Sequence, residues 1–105
     1  MKLLKNLFEV IEKSENYCKV KLARKEHPVF KAHFPKNEIL PGFMQIDIIA
    51  HILNHKVMAI SKVKFLSIIK PEDIIEYHVT SIKESRYKIL IKNGNQKVSE
   101  IIYEC

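Results

Sequence analysis

A chain of 105 residues, 47% hydrophobic and 29% charged, has the balance of a single folded globular domain over residues 1–105 and not that of a disordered segment. The net charge of +6 comes from lysines and arginines that alternate with apolar residues along the chain; with no tryptophan to stack bases and no recognition motif, this disfavours a nucleic-acid module against a solvated basic surface or a dock for an acidic partner. The two glycines, Gly42 and Gly94, are too few for a phosphate-binding loop, and the isolated Cys18 and Cys105 cannot build a zinc site on cysteine pairs, so neither metal nor cofactor is expected.

The N-terminal stretch Met1–Phe8 is too short for a signal peptide and is followed at once by Glu9 and Glu12. No apolar run reaches the roughly 18 residues of a membrane helix. The expectation is a cytoplasmic protein without membrane association. Leu7 to Glu12 alternates loosely and reads as strand or helix. Ser14-Glu15-Asn16 marks a turn. From Tyr17 to Ala23, Cys18, Val20 and Leu22 fall on one face and Lys19 and Lys21 on the other, the pattern of a half-buried strand.

Residues 24–42 hold Pro28, Pro35 and Pro41 and are expected to form no regular element. The same stretch carries Val29, Phe30, Phe34, Ile39 and Leu40, so it should pack down and shape a site. Gly42 to about Lys56 reads as a helix: Ile46, Ile49, Ala50, Leu53 and Val57 recur at helical spacing, and Ile48 and Ile52 widen the stripe. A helix this apolar must be wrapped by other elements. Asp47 and His51, four residues apart, share one face. His51 reads either as a hydrogen-bond partner of Asp47 or as a plain helix histidine.

The rest of the chain alternates as strands. Val63 and Phe65 oppose Lys62 and Lys64. Pro71-Glu72-Asp73 turns the chain. Ile75, Tyr77 and Val79 oppose Glu76, His78 and Thr80, and Tyr87, Ile89 and Ile91 oppose Lys88 and Lys92. Asn93-Gly94-Asn95 is a hairpin signal, and Val98 to Tyr103 closes the chain. Phe65, Tyr77 and Tyr87 are expected in the core. The fold class is α+β, one helix against one curled antiparallel sheet of about six strands.

Ala32-His33-Phe34-Pro35, then Leu40-Pro41-Gly42, then Asp47 is the densest constellation of chemistry-bearing residues. It resembles the signature of the β-hydroxyacyl-acyl carrier protein dehydratases of the hotdog fold: Gly-His-Phe-Pro, then Pro-Gly, then an acidic residue on the central helix. Gln45-Ile46-Asp47 further resembles the small dehydratase-like proteins of aryl-polyene type. Lys62-Val63-Lys64-Phe65 and Ile69-Lys70-Pro71-Glu72-Asp73 look like the family's following strand and turn. The sequence departs from the family at Ala32, where glycine is usual, at His51, where glutamine is common, and at Glu72, which replaces a turn glycine.

The residue types suit the chemistry that the resemblance implies. Dehydrating a 3-hydroxyacyl thioester needs a base of near-neutral pKa beside the thioester carbonyl, which His33 would supply. The departing oxygen needs a proton, which a carboxyl in an apolar setting, Asp47, would donate. The charge on the thioester oxygen needs an N–H donor, and Gly42 stands where a helix begins. Phe34, Phe43 and His51 are implied alongside Gly42 as residues that contact substrate. The resemblance also implies a homodimer or larger, with His33 and Asp47 from different subunits, and an acidic acyl carrier protein as partner, bringing its phosphopantetheine arm in near Arg24 and the surface lysines. A hotdog thioesterase and a non-catalytic hotdog subunit that binds acyl carrier protein are the alternative readings. His27, His55 and His78 are expected to take no part.

Overall fold

The computed structural model describes residues 4–32 and 36–105. Its six strands are β1 (Phe8–Ser14), β2 (Tyr17–Leu22), β3 (Ala59–Phe65), β4 (Ile74–Lys83), β5 (Arg86–Asn93) and β6 (Gln96–Glu104); its helices are α1 (Pro28–Lys31) and α2 (Gly42–Leu53). The strands form one sheet in the order β1-β2-β4-β5-β6-β3, with every neighbouring pair antiparallel. The long helix α2 against an antiparallel sheet of six strands is what the sequence patterns predict; the short α1 is additional. Among the described residues no helix is long and apolar enough to cross a membrane.

The ambiguous first segment is a strand, paired through Phe8↔Leu22 and Val10↔Val20. In β2, Cys18, Val20 and Leu22 are buried while Lys19 and Lys21 point the other way. The β5–β6 hairpin closes at Asn93↔Gln96, leaving two residues in the loop; Gly94 sits at φ +63°, where a side chain would be strained.

Two expectations are corrected. The proline-rich stretch does contain a regular element, the single turn α1. Pro28 opens it, a position where the missing N–H costs nothing, and the His27 ring caps it by accepting the Val29 N–H at 3.1 Å. And α2 stops at Leu53, short of Lys56, because Asn54 adopts the left-handed conformation (φ 57°) and its N–H turns back to close the last turn.

The core lies between α2 and the inner face of the sheet. Met44, Ile48 and Ile49 of α2 pack over Val20, Ile75, Tyr77, Ile89, Ile91, Ile101 and Tyr103. The apolar part of the loop packs down as its composition requires: Val29, Phe30 and Leu40 are all buried. Leu40 N–H donates to the Ile69 carbonyl at 2.7 Å, which fixes the chain just before α2 begins. The two end strands, β1 and β3, bury none of their residues. The strand β3 is hydrogen-bonded on one side only, and every residue in it is exposed.

Candidate functional site

The helix α2 presents two unlike faces. Gln45, Ile48 and Ile49 turn toward the sheet. Phe43, Asp47 and His51, spaced by four residues, make a row on the opposite side. Phe43 is 54% exposed and Asp47 is half-buried. The apolar surroundings of Asp47 push its carboxyl above the usual aspartate range, because burial penalises the charged form. Among the described residues Asp47 makes no hydrogen bond to His51. That ring is exposed and meets Phe8 edge-on, with centroids 6.4 Å apart.

Gly42 is the first residue of α2, behind Pro41, and among the described residues no side chain caps this end. The Met44 N–H turns back to the Pro41 carbonyl at 3.0 Å, while the N–H groups of Gly42 and Phe43 and the positive end of the helix dipole face a ligand or solvent. Asp47 lies five residues on, about 7.5 Å along the helix axis. The ring of Phe65 covers Gly42: a Cβ added there would lie 2.5 Å from the Phe65 ring tip. With any other residue here the Phe65 ring would have to move aside.

Phe65 therefore lies against Gly42 at the start of α2 and not in the core, where the alternation places it. It is 48% exposed, on the inner side of β3 with Ile60 and Val63. Alternation reports which face of a strand is apolar; it does not report whether the strand is central or terminal. Tyr77 and Tyr87 do lie in or against the core.

His33 and Phe34 lie outside the described residues. The chain reaches them from the end of α1 and leaves them through Lys36 and Asn37. Lys25, Lys31 and Lys36, with Glu26 and Glu38, line a cleft of about 310 Å³ on these two flanks. Arg24 is exposed close by and pairs loosely with Glu26, at 3.7 Å. The remaining histidines have structural partners. His27 caps α1. His55 contacts the Tyr103 hydroxyl at 2.7 Å, and burial lowers its pKa. His78 lies 3.3 Å from Glu76.

The model of the ApeI-like family, described as ApeI dehydratase, matches residues 10–101. Among curated relatives, the 3-hydroxyacyl-(acyl-carrier-protein) dehydratase FabZ of Thermoanaerobacter sp. is 27% identical over 95 residues, covering 90% of this chain and 60% of its own length. The FabZ of Klebsiella pneumoniae is 31% identical over 85 residues, 81% of this chain and 52% of its own. The chain thus spans only a little over half the length of these curated relatives. Among solved structures, one titled the dehydratase heterocomplex ApeI:P from Xenorhabdus doucetiae superposes with a TM-score of 0.73 at 19% identity, covering 92% of this chain and 96% of that one. Thioesterase superfamily member 2 from Mus musculus superposes at 0.63 with 10% identity, covering 97% and 82%. At these identities the two structures speak for the hotdog fold, which dehydratases and thioesterases share. The match along residues 10–101 speaks for more: this chain belongs to the ApeI-like dehydratase family of hotdog-fold proteins.

Proposed function

We propose that the chain dehydrates 3-hydroxyacyl thioesters, carried on an acyl carrier protein, to trans-2-enoyl thioesters. The observation that carries this reading is Asp47: a half-buried carboxyl with a raised pKa, on the free face of α2, five residues from an uncapped helix start, in a chain of a dehydratase family. His33 takes the proton from C2 of the acyl chain. The bond from C3 to its hydroxyl breaks, and Asp47 gives its proton to the departing oxygen, which leaves as water. The Gly42 N–H holds the negative charge that builds on the thioester oxygen. Solvent exchange then returns the proton from His33 to Asp47, and the cycle closes with one water released. Burial of Asp47 favours the protonated form that this step requires.

The active unit in this reading is a homodimer that supplies His33 and Asp47 from different subunits. Ile60, Val63 and Phe65 on β3, with Phe43 on α2 and Leu66 and Ile68 beyond the strand, are each 41–54% exposed. They adjoin a sheet edge with no further strand on it. Such a surface is costly in water and suits a second copy of the chain. Lysines 25, 31 and 36 around their cleft suit the acidic carrier and the phosphate of its arm.

The test is the reverse reaction: hydration of a short trans-2-enoyl thioester, on carrier protein and on coenzyme A, read by loss of the conjugated absorbance. Wild type should hydrate, and both His33→Ala and Asp47→Asn should not. A folded, dimeric wild type that hydrates neither substrate overturns the reading. Release of free thiol that survives His33→Ala would establish the thioesterase alternative instead, and carrier binding without turnover the non-catalytic subunit.

A further inference from the structure

The sheet-facing side of α2 is built almost entirely from Met44, Ile48 and Ile49, which are fully buried, with Ile52 behind them. Packing of this kind is strong but non-directional. A helix held by it alone can roll by some degrees at little cost. A roll of about 20° would carry a side-chain tip some 5–6 Å from the axis through about 2 Å. In a proton-transfer site a misplacement of about 1 Å can cost about 10²-fold in rate.

One polar residue interrupts this face. Gln45 is 2% exposed, and two hydroxyls reach it from different strands. Ser99 of β6 donates to the Gln45 side-chain oxygen at 2.6 Å, and Tyr77 of β4 donates to the Gln45 main-chain carbonyl at 2.9 Å. Ser99 and Tyr77 are both fully buried. The strands β4 and β6 flank β5, so the two donors rise from lines about 9–10 Å apart. Hydrogen bonds are directional where apolar contacts are not. Two of them, one to the side chain and one to the backbone of a single residue, define the rotation of the helix about its axis.

We propose that Gln45, held by Ser99 and Tyr77, is a positioning residue that sets the roll of α2 and so aims the Asp47 carboxyl at the substrate. Gln45 and Asp47 are two residues apart, about 200° around the helix. What is locked on the inner side is thereby expressed on the outer side. A buried polar pair of this kind adds little net stability, because both partners were well solvated before folding. Its value is in selecting one arrangement among several of similar energy. The inference rests on the reading of Asp47 as the proton donor.

The test replaces the polar pair by an apolar one, Gln45→Met with Ser99→Ala, and measures enoyl-thioester hydration beside wild type and Asp47→Asn. The double variant should melt within a few degrees of wild type, keep KM within about threefold and lose at least tenfold in kcat. Tyr77→Phe should lose about threefold in kcat, again with KM unmoved, and it decides the matter if the double variant does not fold. Wild-type kcat in the folded double variant, or a loss that appears in KM and not in kcat, overturns the proposal. If Asp47→Asn keeps full activity, it is the reading of Asp47 that fails, and the two failures are told apart in one experiment.

Discussion

The inner face of α2 is finished within the chain and the outer face is not. On the inner side Met44, Ile48 and Ile49 meet the sheet with no exposed surface, and the one polar residue, Gln45, has hydroxyl partners. On the outer side Phe43 is more than half exposed and Asp47 is half-buried with a raised pKa. On the proposed reading, the same twelve residues carry a stability surface and a chemistry surface, separated by half a turn. The first should answer to substitution in folding, the second in turnover. That contrast can be broken from either side.

The largest effect is expected on the outer face. Asp47→Asn keeps size and helix register but removes the transferable proton. Hydration of a trans-2-enoyl thioester should fall by about 10²–10⁴-fold, the usual worth of a positioned acid or base. The melting temperature should stay near wild type. Loss of fold together with loss of activity would show that the two faces are not separable. On the inner face, Ile49→Ala should do the opposite. Ile49 has no exposed surface, and its truncation should destabilise the fold by about 2–5 kcal/mol in urea titration. Turnover per folded molecule should be close to wild type.

A smaller effect sits where the two surfaces meet, at the first residue of α2. Gly42→Ala puts a methyl 2.5 Å from the Phe65 ring. Phe65 is half exposed and can swing away, so the cost should be about 1–3 kcal/mol, in the range of overpacking, and not a loss of fold. Activity separates two causes. If glycine serves only to admit the Phe65 ring, Phe65→Ala in the same molecule should restore stability and turnover together. If substrate must also approach this backbone N–H, stability should return and turnover should stay low.

The contrast between faces was only half legible in the sequence. Period-two alternation locates β2, β4 and β5 because their inner residues meet a core and their outer residues are more open to water, whereas β6 is buried at four successive residues from Val98 to Ile101 and follows from the hairpin signal before it. Helical spacing located α2 for the same reason. The motif His33-Phe34-Pro35, Pro41-Gly42 and Asp47 named the family by residue type and spacing, and residues 10–101 match it. Strand order was not legible. Nothing in Ile60, Val63 and Phe65 says that β3 ends the sheet, since an apolar face looks alike whether a helix of its own chain or a second molecule covers it. Alternation alone therefore puts Phe65 in the core, where the structure does not. The single turn α1 was missed because prolines were read as breakers, although Pro28 stands at the one helical position where proline is favoured. The Gln45–Ser99 contact joins residues 54 apart in the chain, a distance over which local periodicity carries no information.

The smallest effect concerns how the exposed strand β3 is tied to the rest of the sheet. On the outer side of β6, Glu100 has a side chain only 9% exposed, and three lysines converge on it: Lys62 from β3, Lys97 at 3.1 Å and Lys88 at 3.6 Å. Hydrogen bonds from Lys62 and Lys97 hold its carboxyl down at about 2, against an ordinary value of 4.5. A carboxyl whose pKa is depressed by folding stabilises the fold above its unfolded value, and that contribution disappears as pH falls through the folded one. Wild type should therefore melt above Glu100→Gln at neutral pH. The gap should close progressively as pH falls through about 4.5 and should be small by about pH 2, vanishing only below it. Added salt should shrink it less than it would for a fully exposed pair, since the carboxyl is largely shielded from solvent. Because Lys62 is the partner on β3, amide exchange in Ala59–Phe65 should rise in the variant more than in β4 or β5. A gap that persists unchanged at pH 2 would mean that packing, and not this ion cluster, holds β3 to β6.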